Sequence, residues 1–120
     1  MSAAPRSPRY DVVPGEDVLA DVAALAAYGP DIVAAAVAII DDLAYGGVVG
    51  KDLGHRCVSG DLSGLARVKF DAPGWRPPRF RLVYRQADAT TREILAIGPR
   101  DQHTIYRIAV RRLAEGDDLH

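Results

Sequence analysis

The sequence predicts an α+β domain, with helices in its first half, strands in its second half and one more helix near its end. Apolar residues recur at spacings of three and four between residues 18 and 43, which is the period of a helix. Between residues 65 and 85, apolar and cationic residues alternate instead, which is the period of a strand. Gly- and Pro-rich stretches separate these segments. The predicted order is therefore β-α-α-β-β-β-α.

In the first half, residues 10–13 alternate and predict a short strand that a Pro-Gly pair ends. The acidic pair at 16–17 then favours a helix N-terminus through the helix dipole. The Gly-Pro pair at 29–30 breaks this helix, and a second helix follows until the Gly-Gly pair at 46–47. Because the turn between them is very short, we expect the two helices to form a hairpin.

In the second half, residues 50–64 carry four glycines among Asp and Ser residues, and this composition predicts a loop. Strands are predicted at 65–70, 79–86 and 92–97, separated by a Pro/Gly loop at 71–78 and a turn at 87–91. Asp101 can cap a final helix that runs to about Leu113.

The 120 residues suffice for one domain with a modest core, which we place at 10–114. The Pro/Ser/Ala-rich segment 1–9 is predicted to be disordered, and 115–120 to be a polar tail. The longest apolar run, at 32–40, is too short to span a bilayer, and the N-terminus has no apolar signal region. With Cys57 as the only cysteine, these features predict a cytoplasmic protein without membrane association.

The net charge of −1 hides an asymmetry between the two halves. Residues 1–60 hold four Lys/Arg and eight Asp/Glu, whereas residues 65–112 hold eleven Lys/Arg and four Asp/Glu. Thirteen of the fifteen cations are Arg, whose planar fork suits phosphate. A nucleic-acid partner is one reading of this asymmetry, and a merely solvated cationic face is the other.

The alternation also predicts which cations share a face. Arg67 and Lys69 are two residues apart on one strand and so point the same way. On the next strand the same reasoning groups Arg79, Arg81, Val83 and Arg85 on one side, with Phe80, Leu82 and Tyr84 on the other. We expect the first side to be a solvent-facing cationic surface that suits a polyanion.

Three strings, in their order and spacing, resemble the RelE/ParE superfamily of toxins from bacterial toxin–antitoxin systems. They are Asp-Leu-Ser-Gly-Leu-Ala-Arg-Val at 61–68, Phe-Arg-Leu-Val-Tyr-Arg at 80–85, and Leu-Ala-Ile-Gly-Pro-Arg at 95–100 followed by Ile-Tyr-Arg at 105–107. The resemblance covers about Tyr10 to Leu113. It implies a RelE-like fold, in which a small antiparallel sheet packs on an N-terminal helical hairpin. Pro99, the long 71–78 loop and the acidic helical half depart from the family pattern.

Within this superfamily the RelE-type branch consists of endoribonucleases that cut mRNA in the ribosomal A site. Carried over by motif, the resemblance implies five catalytic residues: Arg67, Lys69, Arg81, Arg100 and Tyr106. It further implies attack of a ribose 2′-hydroxyl on its own 3′-phosphate, giving a 2′,3′-cyclic phosphate. The implied partners are mRNA on the ribosome with its 16S rRNA, and a cognate antitoxin. The alternatives are a ParE-like toxin that binds DNA gyrase without catalysis, and a degenerate member that only binds its antitoxin.

Cleavage of RNA without a metal needs proton transfer and stabilisation of charge on the phosphorane. The three histidines show no catalytic pairing and no metal-ligand spacing, so we expect neither a metal nor an organic cofactor. Crowded cations would supply the charge and would lower the pKa of a lysine among them. Further candidate RNA contacts are Arg79, Arg85, Trp75, Arg76 and His103. Trp75 has two readings, as a loop anchor or as a surface on which a base stacks.

Overall fold

In the computed structural model, which describes residues 8–53, 55–56, 60–61, 64–100 and 104–118, the chain forms an α+β fold of a five-stranded mixed sheet, a two-stranded sheet and three helices. The α+β class is therefore confirmed. The strands are β1 (Asp11–Pro14), β2 (Lys51–Asp52), β3 (His55–Arg56), β4 (Gly60–Asp61), β5 (Leu65–Phe70), β6 (Phe80–Gln86) and β7 (Thr91–Pro99). The helices are α1 (Val18–Ala24), which continues into a 3₁₀ turn at Leu25–Tyr28, α2 (Pro30–Tyr45) and α3 (Thr104–Asp118).

The main sheet has five strands in the order β1-β7-β6-β5-β2. Strands β5, β6 and β7 pair antiparallel, as does β2 with β5, but β1 pairs parallel with β7. The prediction of a purely antiparallel sheet is therefore wrong. A short alternating segment specifies which residues share a face, but it carries no signal for the direction of its neighbour.

Helices cover both faces of this sheet. On one face, α1 and α2 pack on β5, β6 and β7 around a core whose largest fully buried residues include Phe80, Leu25 and Ile32. On the other face, α3 lays Ile105, Tyr106 and Ala109 against β5, β6 and β7. A register shift between Val83 and Tyr84 fits this second core, because it turns the adjacent Leu95 and Ala96 to the α3 side.

The ends of α2 lie at the Pro and Gly residues that predicted them, whereas the end of α3 lies beyond its predicted position. Pro30 occupies the first turn of α2, where its missing N–H costs nothing, and Gly46 ends the helix in the left-handed conformation at φ 74°. At the other end of the chain, α3 extends to Asp118 and so includes part of the predicted polar tail. The predicted loop at 50–64 contains the three two-residue strands β2, β3 and β4.

Two predictions about chain segments fall partly outside the described residues. Of the segment predicted to be disordered, residues 8 and 9 are described, and the backbone N–H of Arg9 donates to the carbonyl of Ala44. Residues 1–7 lie outside the described part of the chain, as does Asp101, the predicted cap of the last helix.

Candidate functional site

The pairing of four strands places cations side by side on the face that α3 partly covers. Lys51 on β2 lies directly opposite Arg67 on β5, and Lys69 on β5 lies directly opposite Arg81 on β6. Residues directly opposite each other project from the same face of a sheet, so these four side chains lie together. Arg100 follows β7, where its backbone N–H donates to the carbonyl of Arg79 at 2.7 Å. We call these five residues the cationic cluster.

The electrostatic effects within the cluster show how close its members are. The pKa of Lys69 lies below its ordinary value, with Arg67 as the largest cause, then Arg81, burial, Arg100 and Lys51. Every charged group that shifts this pKa is a cation, and each disfavours the ammonium form. The lowering of a lysine pKa by crowded cations, which the sequence predicted, is thus found at Lys69.

Arg81 is the member that differs most from the prediction. Its side chain was expected to face solvent, but the residue is only 2% exposed because α3 packs over this part of the sheet. Its Nη1 donates to the carbonyls of Pro78 and Phe80, both at 2.9 Å, and its guanidinium is hydrogen-bonded to the hydroxyl of Tyr106. Burial is the main cause that lowers the pKa of Arg81, and Tyr106 opposes it.

Two guanidinium groups of the cluster retain an unused donor. The Nε atoms of Arg67 and Arg81 are buried, and neither has a hydrogen-bond acceptor among the described residues. A buried N–H of a charged group without an acceptor costs more than a neutral one, so such groups usually have a partner in the protein, an ordered water, an ion or a ligand. The acceptor best suited to two guanidinium donors is a phosphate or carboxylate oxygen.

The other three predicted catalytic residues take different positions around this pair. Lys69 and Arg100 are exposed, and so are accessible to a ligand on the surface. Tyr106 is 5% exposed and belongs to the core beneath α3. The structure therefore brings all five predicted residues together, but Tyr106 reaches the cluster through its hydrogen bond with Arg81.

Lys51 is the residue that the sequence did not single out. It lies in the predicted loop, and its two-residue strand is too short to leave a periodic pattern. Its position depends on a close approach: the N–H of Gly50 donates to the hydroxyl of Tyr84 at 2.9 Å. A Cβ at Gly50 would lie 2.8 Å from the carbonyl oxygen of Arg67, so only glycine lets β2 pass this close.

Beyond the cluster, the 71–79 loop is held by one carboxylate. Asp71, whose side chain is 2% exposed, accepts hydrogen bonds from the Nε and Nη2 of Arg79, both at 2.9 Å. It also accepts the backbone N–H groups of Ala72 at 2.7 Å and Arg79 at 2.8 Å. The side-chain hydrogen bonds from Arg79 are the largest cause that lowers the pKa of Asp71 to about 2.

The predicted grouping of Arg79 with Arg81 is wrong. Arg79 precedes β6, and its guanidinium carbon lies 3.8 Å from the ring centroid of Trp75 and 5.3 Å from that of Phe80. The Phe80 ring packs edge-on against Tyr28, on the face that α1 and α2 cover. Asp71 draws Arg79 to this side, so Arg79 is not available to the cationic cluster.

The remaining candidate RNA contacts are spread along the surface. Arg85 lies directly opposite Glu93, and its Nε donates to a carboxylate oxygen of Glu93 at 2.6 Å. Arg76 and Trp75 are exposed in the 71–79 loop. His103 lies outside the described residues.

Comparisons with known proteins give no assignment: no family model, no curated protein and no solved structure matches this chain. Among the described residues, none of the helices is both long and apolar enough to cross a membrane. The same residues include no group of three or more His, Cys, Asp or Glu side chains that could hold a metal ion. The geometry of the cationic cluster is therefore the main guide to function.

Proposed function

We propose that this protein is an RNA-cleaving toxin of the RelE type, and that the cationic cluster binds the scissile phosphate of an mRNA. The observation that carries the proposal is the pair of buried Nε donors on Arg67 and Arg81, which have no acceptor among the described residues and lie next to Lys69. A phosphate bound among these cations would neutralise the repulsion between them, and its oxygens are the acceptors that guanidinium donors favour. The antiparallel β5-β6-β7 core with α1 and α2 on one face supports a RelE-like arrangement of the fold.

The proposed reaction is an internal transesterification. The 2′-oxygen of a ribose bonds to the adjacent phosphorus, the bond from phosphorus to the 5′-oxygen breaks, and one proton passes from the 2′-hydroxyl to the departing 5′-oxygen. Lys69 is the best candidate carrier of that proton, because it is exposed and its pKa is lowered by its neighbours. Arg67, Arg81 and Arg100 stabilise the negative charge on the phosphorane.

In this scheme Tyr106 acts through Arg81 instead of touching the RNA. Its hydroxyl, buried beneath α3, holds the guanidinium of Arg81 in place. The carbonyls of Pro78 and Phe80 accept hydrogen bonds from the same guanidinium. Arg81 is thus preorganised, which is what stabilisation of a transient charge requires.

The test is cleavage of mRNA on ribosomes programmed with a defined codon in the A site, read by primer extension. We expect a cut in the A-site codon that leaves a 5′-hydroxyl, and no cut in the same RNA without ribosomes. Arg100→Ala should lower the single-turnover rate about 10²- to 10³-fold. Arg111→Ala is the matched control, because Arg111 is exposed on α3 and its ion pair with Glu115 is a long 3.9 Å. It should cleave within about twofold of the wild-type rate.

The same preparation separates the alternatives. A ParE-like protein would leave the ribosomal mRNA intact and inhibit supercoiling by DNA gyrase, which would refute the proposal. A degenerate member would do neither and would bind only an antitoxin.

We further propose that the protein works in the cytoplasm under the control of a cognate antitoxin that covers the cationic cluster. The support is the same uncompensated charge, which suits acidic anchors on a partner. Expression without the partner should arrest growth, and co-expression should restore it. Full expression with no growth defect would contradict this part of the proposal.

A further inference from the structure

An open groove adjoins the cationic cluster, on the side of β5 that faces α2. Its volume is about 670 Å³, within the range of pockets that hold small organic groups, about 300–1,000 Å³. Its walls include small apolar residues of α2, the end of β5 and the 71–79 loop. The cluster lies on the opposite, α3-covered face, but Lys69 belongs both to this wall and to the cluster, so the two meet around the end of β5.

Trp75 in the groove wall is exposed to solvent and is not buried in the core. The residue is 54% exposed, although a tryptophan that anchors a loop would be buried in the core. The guanidinium of Arg79 covers part of the indole at 3.8 Å from the ring centroid. Arg79 is itself fixed by its two hydrogen bonds to Asp71, so the indole rests on a rigid support.

We propose that this groove binds a nucleobase of the RNA, stacked on Trp75, while the phosphate chain continues onto Lys69 and the rest of the cluster. The inference rests on the proposed RNA-cleaving function and adds a base-binding subsite to it. A rigid, exposed aromatic ring next to a cationic path is the arrangement by which proteins hold single-stranded nucleic acid. The groove is lined mainly by apolar residues together with Lys69, Arg76 and two carboxylates, of which Asp71 is paired with Arg79. An apolar wall beside cations suits a base of a polyanion, whereas the carboxylates disfavour an acidic side chain.

Trp75 is the only tryptophan of the chain, so its fluorescence reports on this groove alone. The probe is a short single-stranded oligodeoxynucleotide, which lacks the 2′-hydroxyl and therefore cannot be cleaved. Its partner probe has the same length and phosphates but abasic sites instead of bases. We expect the base-bearing oligomer to quench the Trp75 emission, and the abasic oligomer to bind with little quenching. Quenching of equal size by both would refute stacking.

Affinities of the variants, measured by anisotropy of labelled oligomers, give the second readout. Trp75→Ala should weaken binding of the base-bearing oligomer about 5- to 150-fold and leave the abasic oligomer unchanged. Trp75→Phe retains a ring and should recover most of the loss. Val37→Ala, which removes an equally exposed apolar side chain outside this groove, should bind both oligomers as the wild type does.

The outcomes also separate this proposal from the proposed function. If Lys69→Ala weakens both oligomers while Trp75→Ala weakens neither, the phosphate site stands and the base subsite is refuted. If the wild-type protein binds neither oligomer at low salt, the phosphate site and the base subsite both fail.

Discussion

Replacing Arg81 by Met and by Ala should separate its role in the fold from its role in the site. Arg81 was predicted to face solvent, so that its removal would cost little stability, but it is only 2% exposed. Met has nearly the length of the arginine stem and no charge, whereas Ala removes the stem as well. The two variants therefore lose the same hydrogen bonds and differ in packing.

The magnitudes follow from the contacts of the side chain. Loss of the donors to Pro78, Phe80 and Tyr106 costs about 1 kcal/mol each in free energy of unfolding. Removal of a buried charge returns a desolvation cost of several kcal/mol, so we expect Arg81→Met to lie within about 1.5 kcal/mol of the wild type. Truncating the stem to Ala leaves a cavity that should cost a further 2–5 kcal/mol or so.

The assay pairs urea unfolding, followed by Trp75 fluorescence, with mRNA cleavage on programmed ribosomes. Both variants should cleave about 10²- to 10³-fold more slowly, although Arg81→Met remains folded. Arg111→Met, on the exposed surface of α3, controls for the loss of one charge. Wild-type cleavage by Arg81→Met would remove Arg81 from the site. Equal instability of the two variants would refute the reasoning about the packing of the stem. A loss in Arg81→Met well beyond about 1.5 kcal/mol would refute the reasoning about the buried charge.

Three further outcomes test the other parts of the structure. Tyr106→Phe loses the hydrogen bond to Arg81, and cleavage should slow about tenfold or more with an unchanged pH profile, because the hydroxyl positions a cation and carries no proton in the reaction. Lys51→Ala removes the repulsion between Lys51 and Arg67, so thermal unfolding should show a free energy of unfolding that is about 0.2–1 kcal/mol higher. The affinity for the oligonucleotide should fall, because the cluster loses one cation. Asp71 has a pKa lowered from 3.8 to about 2, so its stabilising effect is complete above pH 4 and declines as the pH falls towards 2. Asp71→Asn should lower the free energy of unfolding at pH 7 by about 1–2 kcal/mol, a figure reduced because the guanidinium of Arg79 is partly exposed to solvent. In urea unfolding at different pH values, the variant should lose this part of the acid dependence. Equal acid sensitivity of the two proteins would contradict the prediction.

The strands of the second half were predicted well because each carries its own pattern. Strand β5 matches its predicted bounds, and β6 begins one residue later than expected. The paired strands β2, β3 and β4 were missed, since two residues cannot show a period and their conformation depends on the strands they meet. The parallel pairing of β1 with β7 was missed for a related reason, because it joins residues about eighty positions apart.

The candidate site shows the same division between local pattern and tertiary placement. Alternation placed Arg67, Lys69 and Arg81 on one face correctly, and the cross-strand register confirms it. Alternation says nothing about which helix will cover that face, so the burial of Arg81 beneath α3 was not predicted. Arg79 lies outside the strand, where the spacing rule does not apply and the carboxylate of Asp71 decides its direction.

Two arginines outside the cluster, Arg92 and Arg112, link parts of the fold, and their contrast with the cluster is the strongest argument for the proposed ligand. Arg92 is buried, yet it donates to the carbonyls of Leu43 and Val48 and lies over the Tyr10 ring at 3.7 Å. In the same way, Arg112 joins α3 to the Asp21 carboxylate and the Leu95 carbonyl.

Such arginines act as structural links, because their donors meet acceptors of the chain itself. The cluster follows this pattern at the Nη1 of Arg81, which donates to two backbone carbonyls. Elsewhere it differs: like charges lie directly opposite each other at Lys51–Arg67 and Lys69–Arg81, and the buried Nε donors of Arg67 and Arg81 lack an acceptor among the described residues. Each of these features costs stability, and none is needed to form the sheet. A bound phosphate would offset the repulsion between these cations, which is why we propose that the cluster serves a ligand whereas Arg92 and Arg112 serve the fold.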